Sequence, residues 1–107
     1  RVIHMKKGIP YGYRVSWKNR TIGFSGDTEW NDNLPELAEE TDLFFMECYS
    51  GEKKIPFHTS ISELKLKSDR LNTKRLLLTH RGDEVRQLAA AGKSPFEIAH
   101  DGQRIEI

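Results

Sequence analysis

Leu43-Phe44-Phe45-Met46 is an unbroken apolar run that ends on a carboxylate, Glu47. A strand with one wet face alternates polar and apolar residues, whereas a strand with no polar position must be covered on both faces. Such a strand needs neighbours on both sides and helices packed on the sheet, which restricts the chain to an α/β arrangement. Two other stretches meet that demand. Thr21 to Phe24 reads as a strand running into Ser25-Gly26-Asp27, and Leu76-Leu77-Leu78 as another running into Thr79-His80. Each of the three ends on or near a residue with acid–base or metal-binding chemistry: Asp27, Glu47 and His80.

The remaining segments supply hairpins and crossovers. Arg1 to Lys7 reads as a short strand, and Tyr13, Val15 and Trp17 alternate with Arg14, Ser16 and Lys18 in the period-2 pattern of a half-buried strand. Lys18-Asn19 then predicts a tight turn into Thr21–Phe24. Asn33 with Glu36 marks a helix start, with Pro35 in its first turn, running to about Glu40 and burying Leu34, Leu37 and Ala38. Ser60 with Glu63 marks a second start, of a helix ending near Leu71. Asp83 is placed to cap a third helix through Ala91, with Gly92 as its stop. Phe96–Ala99, Asp101-Gly102 and Gln103–Ile107 read as a closing hairpin. The expected architecture is a mixed sheet with helices on one face.

Composition narrows the function classes. A chain of 107 residues holds one domain. Its net charge of +1 argues against wholesale attraction to nucleic acid or membrane. No apolar run approaches the roughly 20 residues a bilayer span needs. A single cysteine, Cys48, excludes a disulfide framework and fits a reducing compartment, so a cytoplasmic location is expected. Lys65, Lys67, Arg70, Lys74 and Arg75 cluster around the second helix, with Lys53 and Lys54 before it. A solvated helix face is the ordinary account of such a cluster, and a phosphodiester-binding face the functional one.

The chemistry is carried by four residues. Asp27 alone is common turn chemistry, because Asp bonds the backbone two residues on. His80 alone is a polar strand end, and His58 alone a partner for a free backbone group before a helix. Glu47 follows four apolar residues, and a carboxylate so placed must be paired, hydrogen-bonded or metal-bound to offset desolvation. Together, four such residues at one sheet edge point to a site. Asp oxygen and neutral His nitrogen are ligands for zinc and similar divalent metals. Glu47 and His58 suit proton transfer, since histidine titrates near neutrality and burial raises a carboxyl toward it.

The stretches "GYRVSWKNRTIGFSGDTEW", "DLFFMECYS", "FHTS" and "KRLLLTHRGDEV", in this order, resemble the C-terminal half of a metallo-β-lactamase-fold hydrolase, and within it the ribonuclease Z-like branch and its small bacterial single-domain relatives. The resemblance runs over nearly the whole chain. It implies a four-layer αββα sandwich, of which this chain is one half, and two divalent metal ions, zinc first and manganese or iron as alternatives. It implies that Asp27 bridges the metals, that His80 is the last histidine ligand, and that Glu47 and His58 protonate a leaving oxygen. The family's first metal motif, His-x-His-x-Asp-His, has no counterpart here: the histidines are His4, His58, His80 and His100. Two ligands are too few for a catalytic zinc. The resemblance therefore implies a fragment, inactive alone and completed by an N-terminal half.

A half-sandwich would leave an apolar sheet face open, so pairing with the missing half or with another copy of the chain is expected. The expected activity of the complete protein is metal-dependent hydrolysis, of phosphodiester bonds by preference, with a nucleic acid or nucleotide as candidate substrate. Two other readings stand beside it. One is a non-catalytic α/β interaction domain that pairs through its sheet, and the other a small nucleic-acid-binding module built on the basic helix.

Overall fold

In the computed structural model, residues 2–5, 12–26, 30–49, 59–79, 82–92, 94–99 and 102–106 are described. Lys18 and Asn19 set the first turn: both take left-handed backbone, with φ of 50° and 64°. Positive φ at both central residues is the primed-turn pattern, whose twist matches that of the flanking strands. The turn joins Tyr13–Trp17 (β2) to Arg20–Phe24 (β3) as an antiparallel pair, with Trp17 opposite Arg20 and Tyr13 opposite Phe24. Val2–Met5 (β1) pairs antiparallel on the outer side of β2.

From β3 onward the pairing turns parallel, as the covered apolar runs require. Leu43–Glu47 (β4) lies beside β3 with Phe24 level with Phe45, and Leu76–Thr79 (β5) lies beside β4 with Glu47 level with Thr79. The five strands stand in chain order, β1-β2-β3-β4-β5. Each parallel step is bridged by a helix: Leu34–Ala38 (α1) between β3 and β4, and Ile61–Lys67 (α2) between β4 and β5. Asp83–Ala90 (α3) follows β5.

The core lies on one face of the sheet. Phe44, Met46, Cys48 and Leu78 point the same way and pack with Leu34, Leu37 and Ala38 of α1, Ile61 and Leu64 of α2, and Val85 of α3. Close approach of α1 depends on Gly23, where an added Cβ would stand 2.6 Å from the Phe44 ring and 3.2 Å from the Leu37 carbonyl oxygen. On the opposite face, Tyr13, Phe24 and Phe45 stack across three strands at centroid distances of 4.6 and 5.0 Å. Val15, Ile22 and Leu43 form a parallel row beside them.

Four local expectations need correction or refinement. Asn33 does not cap α1 with its side chain; Asn31 Oδ1 accepts from Asn33 N at 3.0 Å, so the turn ahead of the helix is fixed one step earlier. The helix also stops at Ala38 rather than near Glu40, because Glu40 turns left-handed at φ 55°. At α2 the cap forms as expected, Ser60 Oγ accepting from Glu63 N at 3.1 Å. The helix ends at Lys67, and a 3₁₀ turn over Ser68–Arg70 completes the run. Asp83 is the first helical residue of α3 rather than the residue before it, while Gly92, at φ 68°, sits where a helix stop is expected.

The closing hairpin is absent from the described residues. Instead Ile98 bridges Leu78 in parallel, with Leu78 N donating to Glu97 O and Ala99 N to Leu78 O, both at 3.0 Å. The edge of β5 carries unpaired backbone groups, and this segment satisfies them. Arg75 anchors it, its Nε donating to Glu97 Oε1 at 2.9 Å.

Candidate functional site

Three strand ends meet at the carboxyl edge of the parallel strands. The β4 exit, Glu47-Cys48-Tyr49, is the centre to which the others are tied. Glu47 N donates to Ser25 Oγ (2.8 Å), at the end of β3. Cys48 N donates to Thr79 O (3.0 Å), at the end of β5. Tyr49 N donates to Thr59 O, and Gly82 N donates to Tyr49 O, each at 2.9 Å. Gly82 has no room for a side chain, because a Cβ there would lie 2.2 Å from the Tyr49 carbonyl oxygen. A strand end alone offers half-satisfied backbone, and here each group finds its partner on a different segment.

Glu47 is buried, with 1% of its surface exposed. Its Oε2 accepts from Thr59 N at 2.8 Å. The sequence requirement that a carboxylate in this position find a partner is met by a backbone amide. Thr59 was not singled out by the sequence, since nothing in a lone Thr between His58 and the Ser60 cap signals that its N–H meets a distant carboxylate. Cys48, next in the chain, has its thiol pushed up to about 12, first by burial and then by the charge of Glu47. Metals bind the thiolate, so a thiol held protonated is a poor ligand.

Asp27, His58 and His80 lie outside the described residues. Their described neighbours are the ones just named: Gly26 precedes Asp27, Thr59 follows His58, and Thr79 precedes His80. Among the described residues no group of three or more His, Cys, Asp or Glu side chains could hold a metal ion. The Ser25 hydroxyl accepts from Glu47 N and donates to Gly26 O, each at 2.8 Å.

Trp30 and the basic cluster are tied into the scaffold. Trp30 is buried in the core, with Lys67 Nζ and the Arg70 guanidinium each 5.6 Å from its ring centroid. Four cations of the basic cluster are matched by carboxylates: Lys67 with Glu63, Arg70 with Asp32, Lys74 with Asp42, and Arg75 with Glu97. A cavity of about 420 Å³ lined by Glu40, Thr41, Asn72, Thr73 and Lys74 opens at the opposite, amino-terminal edge of β4 and β5. No helix among the described residues is long and apolar enough to cross a membrane.

Comparison with solved structures fixes the fold. The crystal structure of the metallo-β-lactamase fold protein YhfI from Bacillus subtilis superposes with a TM-score of 0.72 and 22% sequence identity, over 89% of this chain. The fold is that of a metallo-β-lactamase half. The chain spans 43% of the YhfI chain, so less than half of that protein has a counterpart here. No family profile matches the sequence, and no curated protein matches it.

Proposed function

We propose that the chain contributes one half of a metal-dependent hydrolase centre that acts on phosphodiester bonds in the manner of the ribonuclease Z-like branch. In this reading Asp27 and His80 would be this chain's ligands to two divalent cations, zinc in the first instance. The other ligands come from polypeptide outside residues 1–107. The observation that supports it is the tie between strand ends: Glu47, Cys48 and Tyr49 hold Ser25, Thr59, Thr79 and Gly82 at one edge. These are the residues next to, or two removed from, Asp27, His58 and His80. The metallo-β-lactamase fold adds a scaffold known to carry its chemistry at strand ends.

The chain's own residues have distinct tasks. Asp27 and His80 bind. Glu47, by accepting the Thr59 amide, fixes the residue that follows His58 in the chain. His58 delivers a proton to the leaving oxygen, a role that suits a group titrating near neutrality. When bound, two divalent cations supply Lewis acidity and lower the pKa of water.

In the full-length protein, Asp27→Ala and His80→Ala lose most bound zinc and, with it, cleavage of bis(p-nitrophenyl) phosphate. Glu47→Gln keeps zinc near the wild-type content and lowers turnover by about 100-fold, the lower end of a general acid–base contribution. Zinc content and cleavage that survive Asp27→Ala exclude the proposal. The interaction-domain reading draws on one observation, the stacked Tyr13–Phe24–Phe45 face, and that face is equally what a half-sandwich needs. The nucleic-acid module is not favoured, because cations of the basic cluster are already matched by carboxylates.

A further inference from the structure

Ser25 stands where β3 leaves the sheet, and the way it leaves is unusual. Ser25 N still donates to Phe45 O at 2.9 Å, a regular rung of the parallel ladder. In a continued ladder the next rung would run from Glu47 N to a main-chain carbonyl of β3. Glu47 N instead donates to the Ser25 hydroxyl at 2.8 Å. The side chain has replaced the backbone acceptor. The same hydroxyl donates its proton to Gly26 O at 2.8 Å, and Gly26 turns left-handed at φ 68°. Ser25 is 1% exposed, so both bonds are made away from water, where an unmade one is expensive.

We infer that Ser25 is a positioning residue for the metal centre: its hydroxyl ends β3 one residue early and holds the Gly26 carbonyl, on the peptide that leads into Asp27. The inference rests on the metal-binding reading given above. Three links make the argument. A serine hydroxyl is one donor and an acceptor, and here both capacities are used on backbone groups of two different segments. Its acceptor role keeps Glu47 N paired, so the strand that carries the buried carboxylate is not loosened where β3 departs. Its donor role clamps the Gly26 carbonyl, which is the peptide joining Gly26 to Asp27. Alanine at position 25 would leave Glu47 N without that partner and release the Gly26–Asp27 peptide together. Groups that orient a metal ligand from behind are worth about 10–100-fold in metal affinity when removed.

The test uses zinc alone, titrated into the apo form of the full-length protein against a competing chelator. Ser25→Ala weakens zinc binding by about 10–100-fold. Ser25→Cys, similar in size and a weaker hydrogen-bonding group, falls between Ala and wild type. Thr41→Val is the control for a buried hydroxyl with no part in the site: Thr41 Oγ1 is bonded at 2.7 Å to Ala38 O and to Thr73 Oγ1, at the opposite edge. That variant lowers the melting temperature and leaves zinc affinity unchanged. If Ser25→Ala and Ser25→Cys lower only the melting temperature while Asp27→Ala abolishes zinc binding, the positioning role is overturned and the metal centre stands. If Asp27→Ala binds zinc as the wild type does, both fall.

Discussion

The residue scale shows most clearly what burial does to an ionisable group. Glu47 and Cys48 are adjacent and both buried. Glu47 keeps a backbone donor on its carboxylate, whereas the Cys48 thiol, whose ordinary value is 9.0, is driven to about 12 by burial and by its neighbour's charge. The folded chain therefore keeps a proton on sulfur over a pH range in which the unfolded chain has lost it. The resulting stability is whole below pH 9 and is lost as pH rises toward about 12. Wild-type protein should lose melting temperature faster than Cys48→Ala between those limits, once both are referenced to pH 8. Parallel curves would show that the thiol ionises normally and that its surroundings are wetter than the structure indicates. That a carboxylate after four apolar residues needed a partner was legible in the sequence. Its partner was not, because a backbone amide carries no residue-type signal.

Among the elements, those written in local chemistry were read well and those set by tertiary contacts were not. The Lys18-Asn19 turn, the Ser60 cap and the apolar strand β4 each rest on neighbours in the chain, and each is present. The end of α1 is different. Arg14, on β2, reaches across with Nη1 and donates to the carbonyls of Glu36, Leu37 and Glu39 at 3.2, 3.3 and 2.9 Å. A helix leaves its last carbonyls unsatisfied, and here a cation from a strand more than twenty residues away satisfies them. In the sequence Arg14 was only the polar beat of an alternating strand. Arg14→Met keeps much of the stem and removes the donors; it should destabilise the fold by about 1.5–3 kcal/mol, the range for hydrogen bonds to a charged group. Arg14→Lys should recover part of that loss. Urea unfolding measures both, and a Met variant as stable as wild type would show that water caps the helix equally well. The closing segment failed for a similar reason: a sequence hairpin signal lost to the open edge of β5, which Ile98 occupies.

For the whole molecule, the decisive feature is that the three helices among the described residues lie on one sheet face, while the other face is buried at Leu43 and Leu77 and only half-buried along its aromatic row. Phe44, Met46 and Leu78 face the helices. Tyr13, Phe24 and Phe45 face the other way, their rings stacked nearly parallel over three strands and only half-buried. The alternation in β2 was readable as one wet and one dry face, and the continuous run in β4 as two dry faces. Those readings agree only if something covers the second face of β4 beyond the helices. In YhfI, 43% of the chain matches this one, so the remainder of that fold has no equivalent in residues 1–107. Apolar patches of this kind in soluble proteins mark contact surfaces. Residues 1–107 produced alone should therefore self-associate in the micromolar range, seen as a concentration-dependent sedimentation coefficient. Phe24→Asp and Phe45→Asp should lower that association, because each buries a carboxylate in the contact. Leu66→Asp, a change at an exposed side chain of α2 on the other side of the sheet, should not. Trp17→Asp, at an exposed end of the same face as Tyr13, gives the graded case: weakened association if the contact extends along β2, unchanged if it is confined to the aromatic stack. A chain that sediments as a monomer at all concentrations would mean that the stacked rings are cover enough, and that the second face needs no partner to stay folded.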